Sequence, residues 1–143
     1  MRADLHRPLN ALGAWYEGLT PESLGAIGEH YAAEAWFKDP FNEVSGIDAI
    51  RRVFAHMFAT LREPRFHVID RVADEGGALL VWEFRFGAGR REYLVRGASH
   101  LRFDACGKVT YHRDYWDTAE ELYAKVPLLG ALMRSLRRRL AAP

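Results

Sequence analysis

The chain has a single cysteine, Cys106, among its 143 residues, and it has no long apolar run. One cysteine cannot form a disulfide within the chain, which fits a reducing compartment, so we expect a cytoplasmic protein. No stretch approaches the roughly 18 apolar residues that a membrane-spanning helix needs. The first residues contain an early acid and lack the apolar segment of a secretory signal. The sequence therefore predicts no transmembrane segment.

Motifs for metals, nucleotides and nucleic acids are also missing. The six histidines form no His-Glu-x-x-His motif, and no glycine-rich phosphate loop is present. The net charge is only +1, and four basic side chains are concentrated near the end, at Arg134, Arg137, Arg138 and Arg139. Any attraction to polyanions would therefore belong to that tail. We expect no metal, no cofactor and no nucleic-acid partner.

Apolar residues, in contrast, are plentiful. They make up 49% of the chain, and aromatic residues make up 13%, which is enough to build a core and argues against disorder. A chain of this length fits one domain. We assign residues 1–143 to a single domain, with a core at 8–117 and a C-terminal helical extension at 118–143.

The first half of the chain has helical periodicity. A first apolar face has residues three or four apart: Leu9, Leu12, Trp15, Tyr16 and Leu19. Thr20-Pro21 predicts the start of a second helix, whose face holds Leu24, Ile27 and Tyr31. Residues 35–38 predict a short strand that ends at Asp39-Pro40. A third helix is predicted from Ile50, Val53, Phe54, Met57, Phe58 and Leu61, and Pro64 is expected to close it.

The second half has the period of two that is typical of strands. Strands are predicted at 65–74, at about 80–86, at 91–103 and at 108–116, separated by short turns that contain glycine. Short turns between consecutive strands indicate an antiparallel sheet. Helices followed by strands indicate an α+β fold.

Alternation also assigns side chains to the two faces of the sheet. Trp82, Phe84 and Phe86 are expected on the inner face, together with Ser99 and Leu101. On the last strand, alternation leaves two sets of residues that could face inward. The first set is Val109, Tyr111, Arg113 and Tyr115, and the second is Thr110, His112, Asp114 and Trp116. Hydrophobicity slightly favours the first set.

Three segments resemble the nuclear transport factor 2-like superfamily. They are Tyr31-Ala-Ala-Glu-Ala-Trp-Phe-Lys-Asp-Pro40, Gly46-Ile-Asp-Ala-Ile50 and Ser99-His-Leu-Arg-Phe103. Within that superfamily the chain is similar to ketosteroid isomerases and SnoaL-like polyketide cyclases. The resemblance implies a cone-shaped, curved, mostly antiparallel sheet with three N-terminal helices packed on its concave face, around an apolar pocket. The extra C-terminal helix adds to this plan.

The resemblance also implies a site. Asp39 matches the general base of ketosteroid isomerases, an aspartate directly before a proline. Trp15 and Ser99 correspond to the two oxyanion donors of those enzymes, and Tyr16, one residue away, is expected to point elsewhere on its helix. The resemblance favours the inward set that contains His112 and Asp114, and Asp114 is similar in location to the acid/base aspartate of polyketide cyclases.

We therefore predict acid/base catalysis by Asp39, Asp114 and His112. His and Asp two apart on one strand share a face, roughly 7 Å apart, and burial raises a carboxylate's pKa. Other interpretations are an Asx turn at Asp39, and a surface pairing of Asp114 with an arginine. The predicted pocket is lined by ten residues: Trp15, Tyr16, Phe54, Phe58, Trp82, Phe84, Phe86, Ser99, Leu101 and Trp116.

These predictions favour a cofactor-free isomerase, cyclase or dehydratase that acts on a small hydrophobic carbonyl ligand. The alternative is a non-catalytic ligand-binding or dimerisation module of the same fold. We expect a homodimer through the outer sheet face. Residues 126–142 predict a basic amphipathic helix that docks on the domain or on a second subunit, acts as a lid, or makes weak membrane-surface contact.

Overall fold

The computed structural model describes residues 4–117 and, further along, residues 131, 132, 134, 135, 138 and 139, which are helical. The rest of the predicted C-terminal helix lies outside the described residues. Helix α1 spans His6–Glu17, a 3₁₀ helix spans Glu22–Glu29, and helix α2 spans Ile47–Thr60. The strands are β1 Tyr31–Lys38, β2 Glu43–Ser45, β3 Arg62–Ala73, β4 Ala78–Ala88, β5 Arg91–Phe103 and β6 Val109–Tyr115.

The six strands form one curved sheet in the order β2-β1-β6-β5-β4-β3. Neighbouring strands are antiparallel, except that β1 runs parallel to β6. The three helices pack on the concave face, which confirms the predicted α+β architecture. Among the described helices, none has both the length and the apolar character needed to cross a membrane.

The core lies between the helices and the concave face of the sheet. Leu9, Leu12 and Tyr16 bury one side of α1, as their helical spacing predicts. On β4 the alternating residues Leu80 and Trp82 are buried. Burial of one such large apolar side chain stabilises a fold by about 1.5–3 kcal/mol. Period-two alternation therefore identified the inner face of β4 correctly.

The predicted second helix differs from the structure in type and in length. It is a 3₁₀ helix that ends at Glu29, and Tyr31 instead begins β1. Gly25 and Gly28 weaken a regular α-helix in this segment. The backbone N–H of Val109 donates to the His30 carbonyl, which aligns the chain with β6 and begins β1 four residues earlier than predicted.

The third helix also ends differently from the prediction. It stops at Thr60, and Pro64, expected to close it, lies within β3. Because β3 is at the edge of the sheet, a residue without an N–H costs little there.

Strand β6 follows neither of the two predicted alternations along its whole length. Arg102 pairs with Tyr111 and Phe103 with Val109, so the register skips Thr110. This irregularity turns the strand, and as a result both Val109 and His112 are buried. Alternation could not predict this because a bulge resets the period of two.

Candidate active site

Strand β6 brings His112 and Asp114 onto the concave face. His112 pairs with Leu101 on β5, and Asp114 pairs with Ser99. The His112 side chain is 2% exposed and that of Asp114 is 15% exposed. The histidine therefore lies inside the domain, and the aspartate lies two residues nearer the end of the strand.

Strand β1 brings Asp39 to the same end of the sheet. Phe37 pairs with His112 and Lys38 with Arg113, and the two strands are parallel. Asp39 directly follows Lys38, and Asp114 directly follows Arg113, so the two aspartates are the next residues on the two strands. Adjacent strands lie about 4.8 Å apart. Asp39 and Asp114 therefore lie at the same end of two neighbouring strands.

Two donors converge on one oxygen of Asp114. Nε2 of His112 lies 2.7 Å from Oδ1, and the Ser99 hydroxyl donates to the same Oδ1 at 2.5 Å. The indole N–H of Trp82 donates in turn to Ser99 Oγ at 2.9 Å. No partner is seen for Oδ2 within the described part of the chain. Ser99, expected at an oxyanion-donor position, thus contacts Asp114.

Two buried tyrosines contact the other side of the imidazole. The Tyr31 hydroxyl lies 2.7 Å from His112 Nδ1, and the Tyr16 hydroxyl lies 3.0 Å from it. The two hydroxyls are also hydrogen-bonded to each other. Burial raises the pKa of both phenols above the ordinary value of 10.0, and the charge of Asp114 adds to the rise. Both tyrosines therefore stay protonated.

Asp39 combines a turn geometry with a raised pKa. Its Oδ1 accepts from the backbone N–H groups of Phe41 at 2.8 Å and Asn42 at 2.6 Å, which is an Asx turn. Burial raises the pKa of the carboxyl, the hydrogen bonds from Phe41 and Asn42 oppose the rise, and the Asp114 charge adds to it. The turn and the proximity to Asp114 coexist.

One prediction about helix α1 was wrong. Tyr16, expected to line the pocket but to point away from the oxyanion-donor position, is 4% exposed and contacts His112. Trp15 is half-buried, and its indole N–H donates to the Ser23 carbonyl at 3.2 Å. Helix α1 buries the face that carries Leu9, Leu12 and Tyr16, so Tyr16, rather than Trp15, enters the polar network.

Tyr31 was missed because it was assigned to a helix. Tyr31, Ala35 and Phe37 are buried on β1, but Ala33 is exposed and the register with β6 shifts between Tyr31 and Trp36. A strict period of two therefore does not connect Tyr31 with Phe37, and the burial of Tyr31 depends on this irregularity.

The predicted pocket residues differ in exposure. Phe54, Trp82, Phe86, Ser99 and Leu101 are buried, whereas Phe58, Phe84 and Trp116 are half-buried, as is Trp15. Several pack ring against ring: for example, the centroids of Phe84 and Phe86 lie 5.0 Å apart.

Two depressions, of about 240 and 430 Å³, lie elsewhere, beside the β3–β4 turn. They share Leu5 and Glu75, and no predicted pocket residue lines either of them. The apolar pocket stays a prediction. Within the described residues, no group of three His, Cys, Asp or Glu side chains could hold a metal ion.

The rim of the site is aromatic. Trp116 follows Asp114 by two residues, and its ring centroid lies 5.8 Å from that of Phe41, which is 55% exposed. Phe41 follows Asp39 by two residues, so a pair of carboxylates is flanked by a pair of rings. This arrangement could move protons on a ligand held against apolar surfaces.

Comparison with solved structures supports the same fold. A protein with a ketosteroid isomerase-like fold from Catenulispora acidiphila, in complex with trimethylamine, has a TM-score of 0.72 at 17% identity, over 86% of this chain and 94% of that chain. An LEH-like epoxide hydrolase from M. tuberculosis has a TM-score of 0.69 at 16% identity, over 90% and 96%. A protein named a SnoaL-like polyketide cyclase, from Jannaschia sp. CCS1, has a TM-score of 0.69 at 12% identity, over 97% and 93%.

At such identities these structures show the fold alone. No curated protein matches the chain in a sequence comparison. The family profile of the SnoaL-like domain matches residues 12–112, which is most of the chain and includes Asp39 and His112. The chain therefore belongs to the SnoaL-like domain family, within the nuclear transport factor 2-like superfamily.

Proposed function

We propose that the protein is an isomerase, cyclase or dehydratase that performs cofactor-free acid/base chemistry on a small hydrophobic carbonyl compound. The observation that carries this proposal is the position of Asp114. Its carboxylate stands at the edge of an apolar interior, with both hydrogen bonds on Oδ1 and with Oδ2 facing no partner among the described residues. A carboxylate held in this way is oriented to accept a proton.

The two carboxyl groups have different roles, with Asp114 as the base and Asp39 as the acid. Oδ2 of Asp114 takes a proton from the carbon next to the carbonyl, which breaks that C–H bond. Asp39, with its pKa raised by burial and by the Asp114 charge, supplies a proton to the carbonyl oxygen. The product is a neutral enol. A carboxyl whose pKa is raised keeps its proton to higher pH, which suits the role of proton donor.

The enol can then follow several paths. A proton returned from Asp114 to a more distant carbon gives isomerisation, attack of the enol carbon on a second carbonyl gives cyclisation, and loss of a hydroxyl gives dehydration. The three reactions share the first proton transfer. The residues of the site support that shared step without selecting among the outcomes.

His112 holds Asp114, and aromatic side chains provide the walls. The histidine is too deeply buried to reach a ligand, so it orients the carboxylate. Trp82, which donates to Ser99, and Trp116, two residues after Asp114, supply apolar surface near that carboxylate, and Phe84 extends the aromatic wall along β4 beyond Trp82. An apolar setting strengthens the electrostatic interactions of the reacting groups. The relatives named as a polyketide cyclase and an epoxide hydrolase are consistent with an enzyme on this fold.

A binding-only module is the second candidate, and one observation favours it. The rings of the concave face pack against one another, for instance Phe66 on Phe84 with centroids 4.5 Å apart. Under this alternative the polar network serves only to satisfy buried groups.

Hydrogen–deuterium exchange at carbon distinguishes the two candidates. Wild type is incubated in D₂O with a panel of enones and β-keto compounds, and NMR follows the loss of the α-proton. We expect exchange in wild type, and a loss of about 10²-fold or more in Asp114→Asn, because general base catalysis contributes about that much. Asp39→Asn should also slow enol formation, because it removes the proposed proton donor to the carbonyl oxygen.

Asp70→Asn is the matched control, because Asp70 is an exposed carboxylate on β3. It should exchange like wild type. Binding of a panel compound without exchange in wild type would instead support the binding-only module.

A further inference from the structure

More hydroxyl groups lie near Nδ1 of His112 than can donate a hydrogen bond to it. Two phenol hydroxyls, of Tyr31 and Tyr16, lie within 3.0 Å of Nδ1. A neutral imidazole nitrogen has one in-plane lone pair, so only one hydroxyl can donate to it. The other hydroxyl must donate to its neighbour's oxygen. The shorter contact, at 2.7 Å, makes Tyr31 the direct donor and Tyr16 the donor to Tyr31.

The opposite nitrogen then has a defined role. Nε2 faces Oδ1 of Asp114 at 2.7 Å, and a carboxylate oxygen can only accept. Nε2 must therefore carry a hydrogen. If Nε2 were unprotonated, its lone pair would face the lone pairs of Asp114.

A doubly protonated ring fits the surroundings poorly. Its Nδ1–H would donate to Tyr31, the Tyr31 hydroxyl would donate to Tyr16, and the Tyr16 hydroxyl would have no acceptor in the part of the chain that the structure describes. A buried hydroxyl without an acceptor is destabilising. The neutral ring with its proton on Nε2 satisfies every one of these groups.

We propose that Tyr31 and Tyr16 are positioning residues that hold His112 as the neutral Nε2–H tautomer and thereby aim it at Asp114. Hydrogen bonds then run in one direction, from Tyr16 to Tyr31, to His112 and to Oδ1. A second series runs from Trp82 through Ser99 to the same oxygen. With Oδ1 occupied from both sides, Oδ2 is left as the reactive atom. The catalytic consequence rests on the proposed function, whereas the tautomer does not.

The two hydroxyls can partly replace each other. In Tyr31→Phe, the Tyr16 hydroxyl still lies within hydrogen-bond distance of Nδ1 and can turn toward it. In Tyr16→Phe, the Tyr31 bond is untouched. Only the double variant leaves Nδ1 with an unsatisfied lone pair in an apolar setting. Its loss of stability should therefore exceed the sum of the two single losses, which a double-mutant cycle measures.

The test combines long-range proton–nitrogen NMR with that cycle. In the ¹⁵N-labelled wild type at neutral pH, His112 should show an unprotonated Nδ1 and a protonated Nε2. The signals of His112 are assigned as those that disappear in the spectrum of His112→Gln. Each single variant should keep this signature. In Tyr16→Phe/Tyr31→Phe no hydroxyl donates to Nδ1, so the signature of a hydrogen-bonded, unprotonated Nδ1 should be lost, whereas Nε2 should stay protonated beside Asp114. Tyr111→Phe, on the outer face against Trp36, is the control and should change nothing. A proton on Nδ1 in wild type, or an additive double variant with an unchanged spectrum, overturns the proposal.

Turnover is a separate readout. If the protein is the proposed enzyme, the double variant should lose kcat by about tenfold, the equivalent of one hydrogen bond of about 1.4 kcal/mol, with KM little changed. Absence of any turnover in wild type would reject the proposed function and leave the NMR result standing. Failure of the NMR signature would reject the positioning role even in an active enzyme.

Discussion

His112 and Asp114 stand two residues apart on β6, and the imidazole Nε2 lies 2.7 Å from the carboxylate Oδ1. Side chains two apart on a strand share a face but are usually about 7 Å apart at the backbone. Here both side chains lean toward each other, and Ser99 on the neighbouring strand completes the contact. The His112 side chain is buried in the core, and the Asp114 side chain lies at the rim of the site.

His112→Leu should destabilise the fold despite a good match in size. The variant removes the acceptor of the Tyr31 hydroxyl and one of the two donors to Asp114, and unsatisfied buried groups cost about 1–3 kcal/mol each. Urea unfolding should show a lower midpoint. His56→Leu, at an exposed position on α2, is the control and should stay within about 0.5 kcal/mol of wild type. An unchanged midpoint for His112→Leu would contradict the network.

Asp39→Asn should change how stability depends on pH. The pKa of Asp39 in the folded protein is raised above the usual value of 3.8, chiefly by burial. Its contribution to stability is therefore fully present below 3.8 and is lost as pH rises through the raised value. An asparagine keeps the Asx turn and has no such loss.

Unfolding of both proteins from acid to neutral pH measures this effect. Relative to wild type, the variant should gain stability as the pH rises. A constant difference between the two curves would mean that Asp39 titrates alike in the folded and unfolded chains.

The buried tyrosines should make the fold sensitive to alkali. The folded protein keeps Tyr16 and Tyr31 protonated, because burial raises the pKa of each, whereas in the unfolded chain they ionise near 10.0. Stability present at lower pH is therefore lost as the pH rises past that value. Tyr16→Phe/Tyr31→Phe should show a shallower loss, measured by unfolding and tyrosinate absorbance. Tyr115→Phe, at a position 51% exposed, should keep the slope of wild type.

Gly97→Ala should disturb the site through Trp82. The two residues pair across β4 and β5, and a Cβ on Gly97 would lie 2.5 Å from the indole ring. The ring has to move, which threatens its bond to Ser99, and overpacking of this kind costs about 1–3 kcal/mol. NMR of the Trp82 indole N–H, together with urea unfolding, checks both effects. Gly25→Ala is the matched control, because open space surrounds that position.

Part of the candidate site could be predicted from sequence because its signals are local. The Asp-Pro step at Asp39 and the two-residue spacing of His112 and Asp114 can be read along the chain. Alternation on β4 placed Trp82 correctly, since no bulge interrupts its pairing with β5. The irregularity at Thr110 has no comparable signal, because it depends on how Phe103 meets Val109 across the sheet.

Composition and periodicity alone predicted an α+β fold with an aromatic inner face and two acids near strand ends. Only the tertiary structure decided that Tyr16 and Tyr31 meet His112. Their separations along the chain, 96 and 81 residues, put the contact beyond any local pattern. The buried face of α1 and the parallel alignment of β1 with β6 create the contact, and both arise from packing between segments that are distant in sequence.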